Sequence, residues 1–214
     1  MVRGSRRHAI TVSVAADMRA PDDVSRLWQA VRMSSTTIAV WNGSHDQLTR
    51  AAELYAEVFS EAPYGEERSQ SIESFTSRVR RRASEKPSFR LLIATEGDRV
   101  VGLVLGTGVS RGDWWWDRLE AALPPDVKEV WLDQECFSVE ELAVDGSHRR
   151  RGVAAALMAA VLDDLPHRTA LLSCYQEARS AQKLYSRLGW AVIDPAVHVT
   201  ESRAVQVMGI RLHE

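Results

Sequence analysis

Apolar residues recur at helical spacing along DQLTRAAELYAEVFSEAPYG, where Leu48, Ala51, Ala52, Tyr55, Val58 and Phe59 fall on one face. A recurrence every three to four residues predicts an amphipathic helix, and Pro63 with Gly65 ends it. A second stripe near residues 70–85 carries Ile72, Phe75 and Val79 beside Arg78, Arg80, Arg81 and Arg82. That arginine run reads as a solvated helix face. Ahead of the first helix, TTIAVW (36–41) is β-rich and runs into the turn Asn42-Gly43-Ser44. The stretch FRLLIATEGDRVVGLVLGTGV (89–109) predicts two strands joined around Glu96-Gly97-Asp98. Further on come a strand near 137–144, a helix near 150–164, the strand TALLSCY (169–175) and a short helix in ARSAQKLYSRLG closed by Gly189. The strands WAVID and AVQVMGIRL complete the order. Between the third and fourth of these strands stands an insertion, RGDWWWDRLEAALPPDVKEVWLDQE.

Residues 1–35 follow no such pattern. Leu27, Trp28 and Val31 share a helical stripe, but Pro21 and the Ser-Ser-Thr-Thr run at 34–37 interrupt it. This part reads as an N-terminal arm or extra helix, partly disordered. The organised domain spans residues 36–214.

Composition narrows the class. A chain of 214 residues with 45% apolar and 26% charged residues suits one soluble α/β domain with a real core. Its net charge of -2 argues against general attraction to nucleic acid or to a membrane surface. No run of about 18 apolar residues occurs, and the basic N-terminus lacks a signal-peptide core. A cytoplasmic protein is expected. Cys136 and Cys174 each lie within an apolar segment, without metal-ligand spacing. They read as reduced, buried thiols, and no metal is expected.

The chemistry concentrates in SVEELAVDGSHRRRGVAAALM (138–158), where three arginines and Gly152 stand at the passage from a strand to a helix. The first N–H groups of a helix have no intrahelical partner, and with the helix dipole they attract anions. Gly152 clears the approach, Ala154 keeps it small, and Arg149, Arg150 and Arg151 add charge-assisted contacts to phosphate oxygens. The pattern is neither a P-loop nor a dinucleotide fingerprint, since GxxxxGK[ST] and GxGxxG are both absent. It reads as a pyrophosphate cradle.

The stretch LAVDGSHRRRGVAAALMAAVL resembles the acetyl-CoA-binding motif of the GNAT superfamily of N-acetyltransferases, [Q/R]-x-x-G-x-[G/A] after an L-x-V strand. Arg149, Gly152 and Ala154 fill its defined positions. SAQKLYSRLGWAVI is similar to that family's second motif, with Ala181, Leu184, Tyr185, Gly189 and Trp190 in register. One departure is Ala178, where the family often has Asn. The resemblance covers roughly residues 36–212. It implies an α/β (α+β) fold: one domain with a mixed, mostly antiparallel central sheet flanked by helices and splayed into a V for acetyl-CoA. It also implies acetyl-CoA as co-substrate, held by the backbone of Leu142, Ala143 and Val144, by the cradle from Arg149 through Val153 to Ala154, and by Ala178, Ala181 and Tyr185. Homodimers are common in the family.

The resemblance further implies acyl transfer to an amine. Tyr185 takes the place of the family's general acid, which protonates the departing thiolate. Glu140 and Glu141 are the candidate bases. Neighbours on a regular strand point to opposite faces, so only one faces the substrate, and the family's E-L-x-V pattern favours Glu141. Proton loss through water is the other route. On the acceptor side, Tyr64 lies where the family builds its pocket. Trp115, Trp116 and Glu141 are further candidates, because an acidic, tryptophan-rich insertion suits a cationic amine. Burial of the tryptophans in a dimer is the competing reading. The function expected is acetylation of a small cationic amine. The alternatives are a peptide or protein amine, or a silent acyl-CoA-binding domain.

Overall fold

The computed structural model describes residues 36–132, 135–198 and 204–212. The arm or helix expected over residues 1–35 lies outside them. Strand β1 (Thr36–Val40) leads into α1 (His45–Ser60), capped by Ser44, whose hydroxyl accepts from the Gln47 N–H. Helix α2 (Arg68–Glu85) begins at Glu67, whose carboxylate accepts from the Ser69 and Gln70 N–H groups. The hairpin of β2 (Arg90–Glu96) and β3 (Arg99–Ser110) turns through Gly97 and Asp98, as predicted. The insertion is helical, forming α3 (Trp114–Ala122) and α4 (Pro125–Trp131), a property its hydrophobic pattern does not reveal. Then follow β4 (Glu135–Val144), a single 3-10 turn (Gly146–His148), α5 (Val153–Leu162), β5 (Thr169–Tyr175), α6 (Arg179–Arg187), β6 (Ala191–His198) and β7 (Ala204–Arg211).

The seven strands form one sheet in the order β1-β2-β3-β4-β5-β7-β6. Every neighbouring pair is antiparallel except β4 and β5, which run parallel. Successive strand residues alternate between two cores, as a pleated strand requires. Leu92, Ala94, Ala170, Leu172 and Met208 meet α5 and α6. On the other face Leu91, Ile93, Leu103 and Leu105 meet α1 and α2, while Leu171, Val207 and Cys136 meet Trp116 and Leu119 of α3. The sheet is therefore covered on both sides.

Two irregularities in β4 prepare the site. Pairing with β5 is confined to Phe137–Val139 opposite Ala170–Leu172. Beyond these residues the strands part, and the backbone edge of β4 from Glu140 to Val144 opens onto the V-shaped splay. The second irregularity lies on the β3 side. Leu105 faces Glu141 and Gly106 faces Val139, which leaves Glu140 as the extra residue of a β-bulge. Gly106 makes room beside it, since a Cβ there would lie 2.5 Å from the Phe137 ring.

Candidate active site

The bulge decides where the two glutamates point. Before it, Phe137 and Val139 face the core under α5; after it, Leu142 and Val144 do. The alternation slips by one residue, which turns Glu140 and Glu141 together toward α2. The opposite-face expectation, drawn from a regular strand, is corrected by that extra residue. Glu141 pairs with Arg78, and Glu140 lies 3.2 Å from Arg82 while accepting from the Thr107 hydroxyl at 2.9 Å. Arg78 and Arg82 stand four apart on α2 and so share a face. They are not part of a solvated stripe, and sequence reasoning missed both. The available signal was arginines at helical spacing together with a pair of adjacent strand carboxylates.

The two carboxylates differ in character. Burial lifts the Glu141 carboxyl to about 7, against the pull of the Arg78 guanidinium, with the charges of Glu140 and Glu66 adding to the rise. Such a group loses its proton near neutral pH, which is what a general base requires. Glu140 is held by Thr107 and Arg82, a positioning arrangement.

Tyr185 is buried, and its ring lies 6.1 Å from that of Trp190. Burial pushes its phenol well above the ordinary tyrosine range, with Cys174, Tyr64 and Glu141 adding to the rise. The charges of Tyr64 and Glu141 are thus felt at the Tyr185 phenol. Tyr64, from the loop between α1 and α2, packs on Phe59 at 4.6 Å and Tyr175 at 5.7 Å. Its phenol is also raised, chiefly by burial, then by Cys174 and Glu141. Burial pushes the Cys174 thiol up to about 11, so it stays protonated and is a poor nucleophile. Ala178 begins α6 without a side-chain cap. Gln182, one turn on, donates its amide N–H groups to the Tyr175 and Gln176 carbonyls at 3.1 and 3.0 Å. Ala181 packs against the core beside Tyr185.

The cradle follows β4 directly. After the 3-10 turn, Arg150 and Gly152 take left-handed backbone conformations, with φ of 61° and 85°, and Gly152 opens α5. The N–H groups of Val153 and Ala154 thereby point out of the helix start without intrahelical acceptors. Arg150 and Arg151 are exposed at this end. Arg149 is engaged within the protein: it donates to the Val144 carbonyl at 3.4 Å and pairs with Glu61 at 2.8 Å. Leu142, Ala143 and Val144 supply the neighbouring backbone edge.

The structure does not bring the tryptophans to this spot. Trp116 is buried in the third core with Cys136, at the far end of β4 from Glu141, and Trp115 packs against the same cluster. Helical spacing turns Trp114 outward, to 56% exposure. Part of the insertion's acidity is answered locally: Asp113 pairs with Lys86, Asp117 accepts from the Gly112 N–H, and Glu120 lies 4.0 Å from Lys128. The assignment of Trp115 and Trp116 to acceptor binding is corrected accordingly. The aromatic cluster on this side is Tyr64 with Phe59 and Tyr175, and the charge of Glu141 is felt at Tyr64.

Comparison with known proteins agrees with this geometry. The sequence matches the family described as the acetyltransferase (GNAT) family over residues 48–190. No curated protein matches the chain. Among solved structures, PH1933 from Pyrococcus horikoshii OT3 superposes with a TM-score of 0.58 at 17% identity, over 84% of this chain and 99% of that one. NAA60 from Arabidopsis thaliana, in complex with acetyl-CoA, gives 0.56 at 14% identity, over 82% and 98%. The ribosomal-protein-S18-alanine N-acetyltransferase from Escherichia coli gives 0.54 at 16%, over 84% and 95%. At these identities the likeness is one of fold.

Proposed function

Because the chain belongs to the acetyltransferase (GNAT) family and is an acetyl-CoA-dependent N-acetyltransferase, we propose that its acceptor is the primary amine of a small cationic molecule. The observation that carries this reading is the buried carboxyl of Glu141, lifted to about 7, whose charge reaches Tyr64 in an aromatic cluster with Phe59 and Tyr175. Aromatic faces and a carboxylate together favour an ammonium. Glu141 takes the proton that makes the amine nucleophilic. The amine nitrogen attacks the thioester carbonyl, and backbone N–H groups of Leu142 to Val144 stabilise the charge developing on its oxygen. As the new C–N bond forms and the C–S bond breaks, the departing thiolate takes the Tyr185 proton, and the surplus proton that the acetylated nitrogen sheds returns to the Tyr185 phenolate. Burial keeps that phenol protonated between turnovers. The cradle of Arg150, Arg151, Gly152, Val153 and Ala154 holds the pyrophosphate.

The test is thiol release from acetyl-CoA by the purified protein against aminoglycosides, polyamines, amino acids and short peptides. Release that depends on aminoglycosides or polyamines supports the reading. Release only with peptides moves the acceptor to a protein amine. Acetyl-CoA binding with no release in any case overturns the small-cation reading and leaves the acceptor outside these four classes. Tyr185→Phe lowers kcat by about 10²-fold and keeps acetyl-CoA affinity by calorimetry. Normal turnover in that variant would hand the proton donation to water.

A further inference from the structure

The turn that delivers the cradle hangs on one buried histidine. His148 is 5% exposed. Its Nδ1 lies 3.0 Å from Asp145 Oδ1 and its Nε2 lies 3.0 Å from Glu96 Oε2. The Ser147 hydroxyl, 2.9 Å from Nδ1, also bonds to Asp145. Asp145 in turn receives Arg99 at 2.5 Å and donates its backbone N–H to the Val101 carbonyl at 3.0 Å. The ends of β2, β3 and β4 are thus tied to a single imidazole. The residue after it is Arg149, and the two left-handed positions of the cradle follow within four residues.

A neutral imidazole has one N–H and can donate to only one carboxylate. Here both ring nitrogens face carboxylates, so the geometry fits the imidazolium, which donates to both. We propose that protonated His148 is a positioning residue for acetyl-CoA, clamping the Gly146–His148 turn to Asp145 and Glu96 so that the N–H groups at the start of α5 are held in place, and that acetyl-CoA affinity consequently falls as this proton is lost. This rests on reading Arg149–Ala154 as the acetyl-CoA cradle.

The charged groups facing the ring are Glu96 from β2, Asp145 at the end of β4, and Arg99 of β3 acting through Asp145. Hydrogen bonds to Glu96 and then Asp145 raise the His148 pKa above its ordinary 6.5, against burial. Burial works to raise the Asp145 pKa, but its bonds from Ser147 and His148 outweigh that and hold the carboxylate ionised. A raised histidine pKa means that the clamp is complete below 6.5 and is lost as pH rises through the higher folded-state value.

The experiment is calorimetric titration of the protein with acetyl-CoA across pH 6 to 9, for the unaltered chain, His148→Gln and Glu96→Gln. The unaltered protein is expected to weaken about tenfold toward alkaline pH, the scale of one charge-assisted bond. His148→Gln is expected to bind about tenfold more weakly at pH 6 and to lose most of the pH dependence. Glu96→Gln, a milder change at a partly exposed strand end, moves the midpoint to lower pH. His148→Gln with unaltered affinity and pH profile overturns the inference, as does a Glu96→Gln midpoint that stays in place. Absence of binding by the unaltered protein overturns the cradle itself, and the clamp with it.

Discussion

Glu141→Gln is expected to lower kcat by about 10²- to 10³-fold, the range for removing a positioned general base. The substitution keeps the size of the side chain and its acceptor oxygen. What it removes is the ability to take a proton. The pH profile makes the prediction specific. A base must be ionised to act, so kcat/KM of the unaltered enzyme rises with pH through about 7, where the Glu141 carboxyl titrates. In Glu141→Gln that limb disappears and the residual rate follows the protonation of the amine alone. Arg78→Leu supplies the companion result. The guanidinium favours the ionised form of Glu141, so its removal moves the same limb to higher pH. A Glu141→Gln enzyme with normal kcat and an intact limb near 7 would assign proton loss to water.

These two residues also mark where sequence reading stops. The succession of strands along the chain, the hairpin turn at Gly97 and the strand TALLSCY were legible because each depends on alternation or on local turn chemistry. The cradle was legible because Arg149, Gly152 and Ala154 are contiguous. Tyr64 was placed through resemblance, and in the structure its ring packs on Phe59 and Tyr175. The bulge at Glu140 left no local trace, since an extra residue in one strand is defined only against its partner, here Leu105 and Gly106. Once the bulge is missed, the faces of both glutamates come out wrong, and Arg78 and Arg82 look like solvent charges. The tryptophans failed for a related reason. Three aromatic neighbours say that their side chains diverge, but which one is buried depends on how α3 lies over Cys136, Leu171 and Val207.

Gly152→Glu is expected to lower acetyl-CoA affinity by at least about 10²-fold, measured by calorimetry, for two separable reasons. Gly152 opens α5 at a φ of 85°, where any other residue is strained by about 1–2 kcal/mol. That strain is small against a domain stability of about 5–15 kcal/mol, so the variant should fold. The second reason is electrostatic. A carboxylate at the helix start satisfies the N–H groups and the dipole end that otherwise attract phosphate, and it repels the pyrophosphate. Gly152→Ala separates the two, because it introduces the strain without the charge. It should lose only about tenfold, the equivalent of ~1.4 kcal/mol. The ordering Gly, Ala, Glu is therefore the diagnostic. Equal loss in both variants would mean that backbone conformation alone controls the site. Full affinity in Gly152→Glu would place the pyrophosphate elsewhere, and the exposed Arg150 and Arg151 would then need another ligand.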